Sequence, residues 1–278
     1  MCRAAFEKGL AAIGFSAHAP IGITGLESNW HMQDGRLGEF IYEVKAARSR
    51  WEGKIAVYTG LEVDYIKGLR SPLDKDIREA GADYIIGSVH YLVPPRGEPF
   101  TVDGPAEELE KGITEGYNGD GEAMRQDYWN AVIEMSALGG FDIVGHLDLV
   151  KKGNVRGYPV TCRFDTESRM YMQRVGETVQ AIAAAIAQVS IARGFVVEAN
   201  TGMMNRCYLA ETCPSLPILR LLRQHNIPVM ISADAHRADD LDGHYGEARH
   251  TLLDAGYTAH VMFAGRKNGK AVWSEMEL

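Results

Sequence analysis

The chain has 278 residues, 46% of them hydrophobic, enough to bury a large core, and one α/β domain covering residues 1–278 is expected. Its 29 basic against 37 acidic side chains give a net charge of −8, which excludes a basic field for gripping nucleic acid and favours a small substrate. Cys2, Cys162, Cys207 and Cys213 contain no Cys-x-x-Cys pair and are too sparse for a disulfide framework. With no apolar run of membrane-spanning length and no signal-peptide pattern, a cytoplasmic protein that does not enter a membrane is expected.

In chain order, Met1 to Ala12 reads as a helix and Ile13 to Ser16 as a short buried strand running into Ala17-His18-Ala19-Pro20. Residues 21–34 read as a loop. Phe40, Ile41, Val44 and Ala47 mark a helix over Leu37–Trp51. Ile55 to Tyr65 is a strand with Glu62 near its end, Pro72–Ala80 a helix, and Tyr84–His90 a strand finishing on a histidine. Tyr91 to Asp120, with several prolines and glycines, reads as a loop-rich lid or substrate loop.

A helix over Met124–Leu138 feeds the strand Phe141–Asp148, with His146 and Asp148 at its end. The longest helix runs from Thr166 to Arg193 on a stripe of Val175, Val179, Ile182, Ile186 and Val189, which is core packing. The strand Phe195–Asn200 puts Glu198 and Asn200 on one side, and a loop through Arg206 leads to the helix Ser215–His225. An apolar run from Pro228 delivers Ser232-Ala233-Asp234-Ala235-His236, in which an extended chain would point Asp234 and His236 the same way. A helix over Asp239–Ala255, a strand His260–Phe263 and a polar tail complete the chain.

Each polar strand end has a structural reading: a solvated loop histidine at His18, an arginine partner for Glu62, a helix cap at Asp234. Six strand-like runs nevertheless end in His18, Glu62, His90, His146 with Asp148, Glu198 with Asn200, and Asp234 with His236. Alternation with helices argues for parallel βα units, whose strand C-termini converge on one face. Imidazoles and carboxylates without a cysteine cluster suit a catalytic site for Zn, Mn or Fe. His31, His225, His244, His250 and His260 lie off the strand ends and read as structural or solvated.

The blocks Phe15-Ser16-Ala17-His18-Ala19-Pro20, Gly60-Leu61-Glu62-Val63-Asp64-Tyr65, Gly87-Ser88-Val89-His90, Gly145-His146-Leu147-Asp148, Glu198-Ala199-Asn200-Thr201 and Ser232-Ala233-Asp234-Ala235-His236 together resemble the polymerase and histidinol phosphatase (PHP) superfamily, in its monofunctional histidinol-phosphatase branch. The resemblance implies a distorted (β/α)7 TIM-like barrel, up to three divalent metal ions, and hydrolysis of L-histidinol phosphate in histidine biosynthesis. It implies that Glu62 bridges two ions, that Asp234 completes the first, that His90 and His146 complete the second, and that His18 and His236 serve the third. The family's first strand, carrying His-x-His, has no counterpart here, because the chain begins inside the helix that should follow it. Two sheet edges are then left unpaired, for another segment or a second subunit in a homo-oligomer to cover.

The expected chemistry is phosphomonoester hydrolysis. Paired ions acidify a water that attacks phosphorus in line, Asp234 or His236 handles the leaving-group proton, and Arg206 contacts the phosphate or forms a surface salt bridge. Two other readings compete with it. One is a PHP phosphoesterase acting on nucleotides or nucleic-acid ends; the other is a shortened, metal-depleted form that binds a partner without catalysis.

Overall fold

The computed structural model describes residues 1–26, 28–188 and 194–278. Its centre is a six-stranded parallel sheet whose strand order follows the chain. The strands are β1 (Ala12–His18), β2 (Ala56–Asp64), β3 (Tyr84–Ser88), β6 (Ile143–Val144), β7 (Val196–Asn200) and β8 (Val229–Ser232). Two short hairpin strands, β4 (Tyr91–Leu92) and β5 (Phe100–Thr101), lie between β3 and β6 in sequence, and β9 (Ala259–Lys267) with β10 (Lys270–Glu277) forms a C-terminal hairpin. The sheet curls as an open half-barrel, as expected of a distorted TIM-like barrel, with β1 and β8 at its edges.

The strands are rich in Val and Ile because both sheet faces are covered. The convex face carries Leu61, Val63, Ile85, Val144, Val197, Val229 and Ile231 into the main core, against the helices Gly121–Leu138, Arg169–Gln188 and Leu216–Gln224. The first of these begins where the Asp120 carboxylate accepts from the amides of Glu122 and Ala123, both at 3.0 Å, and stops at Gly139 in the left-handed region. The helix Cys2–Glu7 packs Cys2 and Ala5 on Ile13 and on Leu241, while Lys8 reaches Asp242 at 2.5 Å. The helix before β1 is thereby tied to the segment that follows β8. No helix of the described residues is long and apolar enough to cross a membrane.

The concave face is apolar at its lower end. Tyr84, Ile86, Ile143 and Val196 meet Phe263 and Trp273 of the C-terminal hairpin there. The Tyr84 ring lies so close over β1 and β2 that a Cβ at Gly14 or Gly60 would fall 2.1 Å from its Oη or 2.3 Å from its Cζ.

Several sequence expectations need correction. Residues 91–120 are not a free loop: Leu92, Phe100, Val102, Leu109 and Ile113 are core residues. The polar tail is β10, turned by Asn268 and Gly269 at φ 53° and 75°. The expected helix over Asp239–Ala255 shrinks to Tyr245–Asp254 behind a short 3-10 turn, because His244 takes φ 60°. The strand Phe141–Asp148 contracts to Ile143–Val144. The longest helix is described only over Arg169–Gln188, so the stripe position Val189 lies outside the described residues.

Candidate active site

Because side chains alternate along a strand, the residues that point into the curl are fixed by parity. On β2 they include Glu62 and Asp64, and β1 and β3 send in His18 and Ser88. His90 and His146 lie just past the ends of β3 and β6. Glu62, Asp64, His90 and His146 are all buried, and the His18 side chain is one-fifth exposed.

The contacts are close. His90 Nε2 stands 3.1 Å from His146 Nε2; Glu62 Oε1 lies 3.0 Å from the latter and 3.4 Å from the former. Glu62 Oε2 lies 3.7 Å from His18 Nε2, and the Ser88 hydroxyl donates to Glu62 Oε1 at 2.7 Å. Asp64 meets His90 Nδ1 at 2.7 Å with one oxygen and His31 Nε2 at 2.8 Å with the other. Over them sits Trp30, stacked on His31 at 4.0 Å between ring centres and edge-on to His18 at 4.9 Å.

Burial alone would neutralise these groups, but they charge one another instead. Burial pushes Glu62 upward, yet the imidazoles of His18, His146 and His90 outweigh it and hold the carboxyl well below its usual range. Asp64 is likewise raised by burial and pulled further down by His90 and His31. Burial lowers the proton affinity of His90, while Asp64 and Glu62 push it up to about 10. His146 is raised by Glu62 against its burial, and His18 is lowered because burial prevails there. In the metal-free protein the His90 imidazolium therefore faces both buried carboxylates, Asp64 at 2.7 Å and Glu62 at 3.4 Å.

Donor atoms of Glu62, His90 and His146 converge closely enough to hold one cation, and those of His18, Asp64 and His90 form a second such group. The first fits a metal well. Ligands about 2.0–2.1 Å from a tetrahedral zinc stand about 3.3–3.4 Å apart, and the triangle here has edges of 3.0, 3.1 and 3.4 Å. Two ring nitrogens facing each other and one carboxylate oxygen share a point that one proton cannot satisfy for all three. Asp64 on His90 Nδ1 supplies the carboxylate that commonly orients a metal-binding imidazole.

Asp234 and His236 form a separate cluster with Arg206. β8 ends at Ser232 and Asp234 takes φ 47°, so an unbroken strand does not align the two side chains. His236 Nδ1 turns back to the Asp234 carbonyl at 3.0 Å and its side chain is 64% exposed. Arg206 donates to Asp234 Oδ2 at 3.0 Å and stands 3.3 Å from His236 Nδ1. Gly202 lies where these groups meet: a Cβ there would fall 2.5 Å from Asp234 Oδ2 and 2.9 Å from Arg206 Nη2.

Two residues at the site escape the sequence reading. Asp64 had a usable signal, since it lies two positions after Glu62 on the same strand face. His31 had none. It sits on an irregular loop, yet it is buried between Ser28 and Asp64, not solvated.

A parallel α/β half-barrel with imidazoles and carboxylates gathered at its strand C-termini has the architecture of a metal-dependent hydrolase. The chain belongs to the PHP domain family, whose pattern matches residues 1–202. It is 27% identical over 267 residues to a "Probable histidinol-phosphatase" of Deinococcus radiodurans, spanning 95% of this chain and 89% of that protein. Its fold matches a candidate histidinol phosphatase from Listeria monocytogenes with a TM-score of 0.71 at 19% identity, covering 89% of this chain and 92% of that one. It also matches the histidinol phosphate phosphatase of Lactococcus lactis, solved with zinc, L-histidinol and phosphate, with a TM-score of 0.65 at 18% identity over 98% and 90% of the two chains.

Proposed function

We propose that the chain is a metal-dependent phosphomonoesterase that hydrolyses L-histidinol phosphate to L-histidinol and phosphate. The observation that carries this reading is the triangle of His90 Nε2, His146 Nε2 and Glu62 Oε1, spaced as three ligands of one divalent ion. The relationship to proteins named as histidinol-phosphatases supports the choice of substrate. The net charge of −8 weighs against a nucleic-acid substrate.

Glu62, His90 and His146 would hold one divalent ion, with His18 and Asp64 beside them for another. When bound, such an ion acidifies water and neutralises charge on the phosphoryl oxygens. The chain's own groups do the rest. Asp64 keeps His90 Nδ1 engaged, so that Nε2 faces the site. The Arg206 guanidinium offers paired N–H donors to the phosphoryl group, a match of shape as well as charge. In hydrolysis the bond from phosphorus to the histidinol oxygen breaks as water oxygen bonds to phosphorus from the opposite side. The departing oxygen takes a proton from His236, the ionised Asp234 being held by Arg206, and the proton the attacking water gives up passes to solvent, from which His236 is reprotonated. Trp30 shields the His18 side of the site from bulk water.

Phosphate release from L-histidinol phosphate by the purified chain, with and without added zinc, tests the reading. Zinc-dependent release is expected; zinc binding without release would refute the substrate assignment.

A further inference from the structure

Glu198 is a carboxylate with no assigned task. It sits in β7, is 3% exposed, and belongs to neither group of converging donor atoms among the described residues. It is nevertheless fully engaged. Glu198 Oε1 accepts from the His146 backbone amide at 2.6 Å and from Asn200 Nδ2 at 2.9 Å, and Oε2 accepts from the Ser232 hydroxyl at 2.6 Å. The three donors come from the ends of three neighbouring strands.

His146 needs such an anchor. His90 is oriented through Nδ1 by Asp64, whereas His146 Nδ1 is buried without a hydrogen-bond partner. Among the described residues no hydrogen bond on the far side of the ring sets its direction. Its backbone is instead held from two sides. In front, a Cβ at Gly145 would fall 2.3 Å from Ser88 Oγ, the hydroxyl that donates to Glu62. Behind, the Glu198 carboxylate grips the His146 amide.

The same carboxylate reaches the second cluster. Asn200, held by Glu198 through Nδ2, accepts the Gly202 amide on Oδ1 at 2.7 Å. Gly202 in turn is in close contact with Asp234 and Arg206. One side chain thus spans the metal-ligand triangle and the arginine–aspartate pair.

We propose that Glu198 is a positioning residue: it sets where His146 stands relative to Glu62 and His90, and through Asn200 and Gly202 it sets the separation between that triangle and Arg206. This rests on the reading of the triangle as a metal site. A carboxylate suits the task because one group accepts three hydrogen bonds in fixed directions, which also offset the cost of burying it.

Zinc affinity, measured by competition with a chromogenic chelator, tests the proposal without relying on turnover. In Glu198→Gln the amide oxygen can still accept from His146 and Asn200 while the amide nitrogen donates to Ser232, so affinity within about threefold of wild type is expected. In Glu198→Ala all three donors lose their acceptor, and affinity should fall about 10–100-fold. A folded Glu198→Ala protein with wild-type zinc affinity would overturn the proposal. So would a Glu198→Gln protein as weak as the alanine variant, since charge and not position would then be the cause. Should the alanine variant fail to fold, Ser232→Ala frees Oε2 alone; a loss of several-fold is expected, and unchanged affinity overturns the proposal. Wild-type protein that binds zinc but does not hydrolyse L-histidinol phosphate would remove the substrate assignment and leave Glu198 to be judged by zinc affinity. Wild-type protein that binds no zinc removes both.

Discussion

His90 Nε2 faces His146 Nε2 across 3.1 Å, while the opposite nitrogen of His90 lies 2.7 Å from Asp64. Two imidazoles so placed repel when both are protonated and attract a common cation when both are neutral. Because the neighbouring carboxylates push His90 up to about 10, the metal-free protein carries a proton that a metal must displace. That proton stabilises the metal-free fold below the ordinary histidine value, and the contribution is lost as pH rises through about 10. Apparent zinc affinity should therefore rise with pH, by roughly tenfold per unit for each proton displaced. Titrations between about pH 6.5 and about pH 8.5, in buffers of different ionisation enthalpy, check both the slope and the proton release. A flat profile would contradict the account.

Asp64→Asn removes the carboxylate shared by His90 and His31. Zinc affinity should drop about 10–100-fold. Asp64 also titrates below its ordinary range, so its contribution to stability is present above that range and is lost as pH falls from it down through the lower folded-state value. Acid unfolding followed by circular dichroism should be less steep in the variant; an unchanged acid transition would show that Asp64 does not contribute.

Gly202→Ala places a methyl group 2.5 Å from Asp234 Oδ2 and 2.9 Å from Arg206 Nη2. The pair must separate. A rise in KM for L-histidinol phosphate of about tenfold is expected, since small displacements of positioning groups are costly. Zinc affinity at the triangle should stay near wild type, and a matched loss of both would argue against two separate clusters.

Gly60→Ala tests the fold apart from the chemistry. Its Cβ would fall 2.3 Å from Tyr84 Cζ, and that ring is packed against Phe263. A loss of about 1–3 kcal/mol is expected in denaturant unfolding. Replacing Tyr84 with a smaller side chain in the same protein should recover part of it, and strictly additive losses would contradict the contact.

Much of this site is legible from the sequence because a parallel barrel turns strand ends into neighbours. His18, Glu62, His90 and His146 could be placed together by locating apolar runs and reading the polar residue that closes each. Asp64 needed only the alternation rule applied one step further. His31 could not be found that way, since an irregular loop has no period that predicts where a side chain points. The alternation rule also fails for Asp234 and His236, because the strand stops at Ser232 and the backbone turns left-handed at Asp234. The C-terminal hairpin was signalled by Asn268-Gly269, a pair suited to a two-residue turn, although the charges around it read as a solvated tail.

The most direct test of the central claim is phosphate release from L-histidinol phosphate by wild type and Glu62→Ala, each assayed after chelation and again after zinc is restored. Wild type should lose activity on chelation and regain it with zinc, and Glu62→Ala should remain at least about a hundredfold slower throughout. Activity that survives chelation, or a Glu62→Ala protein as fast as wild type, would contradict the assignment of Glu62, His90 and His146 as the metal-holding centre of a phosphatase.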